Sequence, residues 1–122
     1  MERNAVGEST ATREYLVVER DELRDSELRG CEYGDVNVSL IFVDVGPGEG
    51  PRLHRHVSEE IFIMLEGQSR FTVGAHTVEA QAGQIIIVRA GVAHKFVNVG
   101  EGRLRQIDIH PSGTFVTEWL ED

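Results

Sequence analysis

Two histidines separated by a single residue constrain this chain more than any other feature of its sequence. They lie in residues 48–67, GEGPRLHRHVSEEIFIMLEG, where His54, His56 and Glu60 follow one another closely. Side chains of an extended strand alternate between its two faces, so both imidazoles project on the same side and can bind one ion together. Glu60 shares their even numbering, so we predict it as a third ligand. Glu59 is instead in register with Ile61, Ile63 and Leu65. Mixed imidazole and carboxylate donors suit first-row divalent metals.

A second stretch contains a third histidine after a glycine-containing turn. Residues 83–98, GQIIIVRAGVAHKFVN, form an apolar run, a turn and a further strand that begins at His94. Together the two stretches read GX5HXHX3EX6G and GX5RXGX2HX3N, and on these motifs the chain resembles a small single-domain cupin. The resemblance implies a double-stranded β-helix, or jelly-roll, barrel that holds one metal ion per chain through His54, His56, His94 and Glu60.

The sequence departs from the cupin pattern at two positions. Arg89 stands where the family usually has proline, and Gln84 follows the glycine where aspartate is common. Neither is a ligand position, so these departures concern the rigidity of the turn more than the metal site. The alternative interpretation places His54 and His56 in a surface loop and His94 as a hydrogen-bonded core residue, but the joint spacing of the two motifs favours the metal site.

Length and charge restrict the possible classes of protein. The chain has 122 residues, which fits one domain with a single core. Its net charge of −9 argues against a nucleic-acid partner, because binding to a phosphate backbone requires concentrated positive charge, and we expect no helix-turn-helix. Cys31 is the single cysteine, and the first residues lack a signal-peptide pattern. No apolar run approaches the roughly 20 residues of a membrane helix. We therefore expect a cytoplasmic protein that does not contact membranes.

The hydrophobic pattern predicts an all-β chain in one domain. Residues 1–14 are polar and are interpreted as a flexible arm, and residues 15–122 are interpreted as the barrel. We predict a first strand at residues 15–18, which the resemblance implies would extend onto a partner subunit. The charged segment at residues 20–30 predicts short turns or a solvated loop. A hairpin is predicted around residues 69–80, with His76 exposed at its tip.

Two predicted strands, residues 60–65 and 84–88, are apolar on both faces, which indicates that both faces are buried. A closed barrel of this size has one interior, so the outward face of each strand requires a cover. Monomers rarely expose large apolar patches. We therefore predict a homodimer in which strand 15–18 of each subunit pairs with the sheet of the other.

Four residues are candidates for the lining of a substrate pocket beside the metal. Phe62 and Met64 are as well explained by core packing, since pockets and cores are both largely apolar. Asp108 shares a strand face with His110, but Pro111 follows directly and proline ends strands, so we favour a solvated His110. The apolar tail, residues 113–122, is expected to fold back against the body. The candidate pocket residues are Phe62, Met64, Phe96 and Asp108.

The predicted metal centre is compatible with more than one function. A six-coordinate ion held by four protein atoms keeps positions for a substrate or for oxygen, and open positions distinguish catalytic from structural sites. The first hypothesis is a metal-dependent enzyme acting on a small organic substrate, of a dioxygenase, decarboxylase or isomerase type. The alternative is a non-catalytic, small-molecule-binding cupin, and a purely structural domain is the weakest interpretation. The sequence leaves the divalent transition metal open among Fe, Mn, Ni, Zn, Co and Cu.

Overall fold

The strand-forming segments of the sequence build two antiparallel sheets that face one another. A computed structural model describes residues 14–122, in which ten β-strands form two five-stranded sheets. The first sheet has the order β1-β2-β9-β4-β7, with β1 at Glu27–Arg29, β2 at Ser39–Val45, β9 at Leu104–His110, β4 at Glu60–Glu66 and β7 at Ile85–Val88. The second has the order β10-β3-β8-β5-β6, with β10 at Glu118–Trp119, β3 at His54–Arg55, β8 at His94–Asn98, β5 at Gln68–Val73 and β6 at His76–Gln81. The predicted all-β jelly roll is confirmed.

Inward-facing side chains of both sheets meet in one apolar core. Three phenylalanines form its centre, and the ring of Phe71 lies 4.9 Å from that of Phe62 and 5.4 Å from that of Phe96. Such edge-on and tilted contacts between aromatic rings add to the stabilisation from burial. The core consists of Phe62, Met64, Phe71, Ala80, Val88, Phe96 and Leu104. The metal-ligand candidates lie above this core, at one end of the two sheets.

Two motif glycines shape turns that place the strands correctly. Gly67, between β4 and β5, has φ of +90°, and a Cβ there would lie 2.3 Å from the carbonyl oxygen of Arg103. Gly91 has φ of +78° in the turn before β8, and its N–H donates to the carbonyl oxygen of His56 at 2.8 Å. Val92 N–H also donates to the Arg89 carbonyl oxygen at 3.2 Å, so the turn is closed although arginine replaces the usual proline.

The segment that precedes β2 differs in part from the prediction. Within the described residues, positions 15–18 form no strand, and Tyr15 is 70% exposed. An extended segment needs a neighbouring strand to donate and accept its hydrogen bonds, so the predicted pairing of this segment with a partner subunit stays a prediction. Residues 20–30 form short turns, as predicted, with 3₁₀ helices at Arg20–Glu22, Arg24–Ser26 and Gly30–Glu32. The strand β1 within this segment was not predicted. The predicted arm lies outside the described residues except for Glu14.

Among residues 14–122, no helix has the length and apolar content required to span a bilayer.

The outer surface of the first sheet carries a continuous apolar face. Cross-strand pairing places Ile61 between Ile87 and Ile109, and Ile63 between Ile85 and Ile107. At the edge strand β7, Ile85 and Ile87 are 60% and 57% exposed. We call this surface the isoleucine face; it consists of Ile61, Ile63, Leu65, Ile85, Ile87, Ile107 and Ile109.

We expect the isoleucine face to be covered by a second copy of the chain, because single chains rarely leave such a patch in water. Light scattering after size exclusion at micromolar concentration is expected to give about twice the 13.6 kDa chain mass. Ile87→Lys places a charge in the face and should produce a folded monomer. The matched control is Val57→Lys, at a position that is 87% exposed and lies outside the face. A monomeric unmodified protein would contradict the prediction.

Candidate metal centre

The two sequence motifs meet at one end of the facing sheets. His54 on β3 is paired in register with His94, the first residue of β8. His56 directly follows β3, and Glu60 is the first residue of β4. All four side chains are buried, and one possible ligand atom from each lies within 4.8 Å of the others. The residues that the sequence predicts as ligands are thus brought together in one group that can bind a metal.

Backbone carbonyl groups fix the orientation of all three imidazoles. Nδ1 of His54 lies 2.6 Å from the carbonyl oxygen of Arg52, and Nδ1 of His94 lies 2.9 Å from that of Val92. Nδ1 of His56 lies 3.0 Å from the carbonyl oxygen of residue 116, on the distant C-terminal segment. A carbonyl oxygen only accepts hydrogen bonds, so each Nδ1 carries the proton and each neutral ring presents the lone pair of Nε2 to the centre. This is the tautomer that a metal ligand requires.

The group of donor atoms is suited to a cation. Oε1 of Glu60 lies 2.9 Å from Nε2 of His94 and 3.4 Å from Nε2 of His56. When the rings are neutral, these nitrogens present lone pairs to a carboxylate that also only accepts hydrogen bonds. Such a concentration of electron-rich atoms is favourable when a proton or a metal ion lies between them. Three imidazole nitrogens and one carboxylate oxygen form a donor set for a first-row divalent metal.

Burial and mutual contacts change the pKa values within the group. Burial raises the pKa of Glu60, but contacts with three histidines outweigh burial and bring it far below its ordinary value, so the carboxylate is ionised. Burial lowers the pKa of His54, and the Arg52 carbonyl opposes this only in part. Burial also lowers the pKa of His56, but Glu60 and the carbonyl of residue 116 reverse the effect and leave the pKa raised.

The register of β4 separates the two neighbouring glutamates as the sequence predicts. Glu60 is 3% exposed and faces inward with the core residues of the same strand. The side chain of Glu59 is 49% exposed and lies 3.5 Å from the guanidinium of Arg89. The alternation of side chains along a strand therefore places the first carboxylate in the metal group and the second in solvent.

His110 lies beside this group, contrary to the solvated position favoured from the sequence. Its side chain is 0% exposed, and Nε2 lies 3.3 Å from Oε2 of Glu60. The expectation was wrong because Pro111 ends β9 only after His110 has completed the inward-facing row of that strand. The signal that would have found it is the even numbering that His110 shares with Gln106 and Asp108, both of which are also buried.

The C-terminal segment folds back over the site, as predicted. Trp119 on β10 pairs in register with His54, and the two rings lie 5.1 Å apart. Phe115 stacks on His110 with ring centroids 4.4 Å apart and planes 8° from parallel. The segment also supplies the carbonyl group that orients His56. Its contribution had no specific signal in the sequence, because every residue carries a carbonyl group.

A cavity of about 890 Å³ opens beside the metal-ligand group. Of the four candidate pocket residues, Phe96 and Asp108 line it, whereas Phe62 and Met64 pack in the core. His54, His56 and Glu60 form part of its wall. Charged groups at its wall are mostly acidic and comprise Arg20, Asp21, Asp25, Glu27, Asp44, Glu49, Glu60 and Asp108.

Asp108 is a buried acid in this wall. Burial and the negative charge of Glu60 raise its pKa well above the ordinary value, and a hydrogen bond from Gln106 opposes this only in part. Nε2 of Gln106 donates to Oδ1 of Asp108 at 2.8 Å. Oδ1 is thereby engaged, so a proton bound to this carboxyl group would be carried on Oδ2.

Comparison with known proteins agrees with this architecture. A family model described as a cupin domain matches residues 41–110. The HTH-type transcriptional regulator PuuR of Escherichia coli is 30% identical over 109 residues, which cover 82% of this chain and 58% of the regulator. The chain therefore spans less than two thirds of the length of that relative.

Solved structures of oxalate decarboxylases share the fold. The formate complex of the Lactobacillus farciminis enzyme superposes with a TM-score of 0.72 at 21% identity, covering 77% of this chain and 30% of that one. A Bacillus subtilis oxalate decarboxylase studied for its Mn(II) centres gives a TM-score of 0.72 at 24% identity, with 77% and 27% coverage. At these identities the likeness concerns the fold.

Removal of single ligands should identify the residues that bind the metal. We expect one divalent ion per chain, lost in His54→Ala, His56→Ala and His94→Ala. Glu60→Ala should weaken binding by more than the roughly 10–100-fold that loss of an outer-sphere contact costs, whereas Glu59→Ala should be nearly neutral. Mass spectrometry of the metal content of each purified variant makes the comparison. Loss of metal in Glu59→Ala with retention in Glu60→Ala would reverse the assignment.

Metal affinity should decrease as the pH falls. Protons compete with the ion for the imidazole nitrogens, whose ordinary pKa is about 6.5. Because the pKa of His56 is raised, competition should begin there at a higher pH than at His54, whose pKa is lowered. Titration with Mn(II) at pH 7.5, 6.5 and 5.5 should show progressively weaker binding. Equal affinity at all three values would argue against imidazole ligands.

Proposed function

Because the chain belongs to the cupin family, we propose that it is a metal-dependent enzyme that acts on a small organic substrate. The observation that carries the proposal is the position of a buried carboxyl group, Asp108, in the same cavity wall as the predicted metal ligands. A metal alone is compatible with a structural site. A metal beside a cavity with its own proton donor has the parts of a catalytic site.

Four residues would hold the metal, namely His54, His56, His94 and Glu60. When bound, a divalent ion in this donor set polarises an oxygen atom of the substrate as a Lewis acid. The Mn(II) centres of the structurally similar Bacillus subtilis enzyme make Mn(II) the first ion to test. Iron, cobalt, nickel, copper and zinc suit the same donors and are the further candidates.

Asp108 would supply a proton to the substrate. The hydrogen bond from Gln106 orients its carboxyl group, and burial raises its pKa well above the ordinary value, which favours the protonated form. Proton delivery from the carboxyl group of Asp108 to a substrate carbon or oxygen would be a step in decarboxylation and in isomerisation. The position of this carboxyl group therefore favours these two reaction types over dioxygenation, which the donor set also allows.

The charges around the cavity restrict the substrate. A divalent ion with one carboxylate ligand leaves a net positive charge at the centre, which attracts one anionic or polarised oxygen group. Most charged groups elsewhere in the wall are acidic, with Arg20 as a basic exception. The proposed substrate therefore has one oxygen group for the metal and a neutral or cationic remainder.

A nucleic-acid partner is disfavoured by the net charge of −9. A cytoplasmic location stays a prediction.

A non-catalytic role is the second candidate, and the likeness to a transcriptional regulator favours it. This chain covers 58% of the PuuR protein, so the shared part is a portion of that regulator. Under this alternative, the same cavity binds a small molecule that is not converted. The metal would then hold the ligand, and Asp108 would act as a hydrogen-bond donor.

Asp108→Asn provides the test of catalysis. Metal-free protein is reloaded with Mn(II) and given a panel of small hydroxy, keto and amino acids, and products are detected by NMR in deuterated water. The variant should retain its metal but lose turnover by roughly 10²–10⁴-fold, because the proton donor is missing. Asp35→Asn, at an exposed position outside the cavity wall, is the matched control.

Two results would contradict the catalytic proposal. Undiminished turnover in Asp108→Asn would exclude the residue as the proton donor. Thermal stabilisation of the unmodified protein by a panel compound, without product, would support the ligand-binding alternative, since a ligand stabilises by mass action whether or not it reacts.

A further inference from the structure

His110 is a fourth imidazole beside the predicted metal ligands, and its interactions are unlike those of the other three. Its side chain is 0% exposed, and neither ring nitrogen forms a well-aligned hydrogen bond with any other described residue. Its nearest charged neighbour is Glu60, whose Oε2 lies 3.3 Å from Nε2. A buried polar ring without hydrogen bonds is costly and calls for an explanation.

Contact with Glu60 determines the tautomer of His110. Nδ1 of His110 has no hydrogen-bond partner among the described residues, whereas Nδ1 of each of the three predicted ligands faces a backbone carbonyl oxygen. A carboxylate oxygen accepts hydrogen bonds, so the neutral ring of His110 is best satisfied with its proton on Nε2, beside Oε2 of Glu60. A protonated nitrogen has no lone pair for a metal. In this tautomer His110 can donate to Glu60 and is not a fifth ligand.

The two oxygens of Glu60 consequently have different neighbours. Oε1 lies 2.9 Å and 3.4 Å from the ligand nitrogens of His94 and His56. Oε2 lies beside the protonated nitrogen of His110. We propose that His110 is a positioning residue that holds Oε2 of Glu60, so that the carboxylate binds the metal through Oε1 alone.

This inference rests on the metal site of the proposed function and specifies its coordination. A six-coordinate ion held by four protein atoms keeps about two positions for water or substrate. If Glu60 bound through both oxygens, about one position would remain. A substrate whose single oxygen group binds through both of its oxygens, as a bidentate carboxylate does, would then be excluded. His110 thus keeps the centre open to a chelating substrate.

Neighbouring rings keep His110 in place for this role. Phe115 stacks on one face at 4.4 Å, with planes 8° from parallel. The ring of His56 meets it edge-on, with centroids 4.5 Å apart and planes 79° apart. A ring confined in this way can turn little, so its nitrogen remains directed at Glu60.

Two substitutions of His110 separate positioning from packing. His110→Gln retains an N–H donor near the position of Nε2 but loses the stacked ring. His110→Phe retains a ring against Phe115 but loses the donor. His76→Gln and His76→Phe, at the exposed hairpin tip, are the matched controls. Each purified protein is titrated with Mn(II), and the water molecules bound to the ion are counted by electron–nuclear double resonance in ¹⁷O-labelled water.

A positioning role predicts that the glutamine variant resembles the unmodified protein and the phenylalanine variant does not. His110→Phe should bind Mn(II) roughly 10–100-fold more weakly, the usual cost of losing an outer-sphere partner, and should lose about one bound water. His110→Gln should recover most of the affinity and the full number of waters. Both His76 variants should be unchanged.

Other outcomes identify which proposal fails. If the unmodified protein binds Mn(II) and His110→Phe has the same affinity and water number, the positioning role is overturned while the metal site stands. If His110→Phe is normal and His110→Gln is impaired, His110 is a packing residue. If the unmodified protein binds no Mn(II), Fe(II), Co(II), Ni(II), Cu(II) or Zn(II), the proposed function is overturned together with this inference.

Discussion

An ionised carboxylate enclosed by imidazole rings is the interaction on which the rest of this structure depends. Removing an ionised group from water costs on the order of several kcal/mol, so Glu60 is stable in the interior only with close, well-oriented partners. The histidines beside it have their own requirement, since each ring must direct one chosen nitrogen inward. The strands are arranged to meet both requirements at once, because β3 and β8 bring ligands from one sheet and β4 brings the carboxylate from the other.

The inward face of strand β9 carries a core residue at one end and residues of the candidate site at the other. Leu104 belongs to the apolar core, whereas Asp108 lies in the cavity wall and His110 contacts Glu60. Because side chains on one face of a strand recur at every second residue, a single strand carries this gradient from apolar to polar. The polar end of β9 contacts the metal-ligand group, and its apolar end packs in the core.

The sequence predicts those parts of the site that depend on local periodicity. The spacing of His54 and His56 and the choice of Glu60 over Glu59 follow from the alternation of strand faces, and the structure places all of them accordingly. The carbonyl groups that orient the rings had no sequence signal, because a backbone group is present at every position. His110 was misjudged because a following proline marks where a strand ends, but not whether its last side chain is buried. The strand at residues 15–18 was expected from composition, yet pairing requires a neighbour that the described chain does not provide.

The hydrogen bond from His56 to the carbonyl oxygen of residue 116 joins parts of the chain that lie 60 positions apart. A ribosome makes the chain from its N-terminus, so the two sequence motifs are complete before this partner is synthesised. Until the later segment docks, His56 has no fixed tautomer, and His110 lacks the ring of Phe115 on which it stacks. The candidate metal centre is therefore complete only once the last segment of the chain has docked against the two sheets.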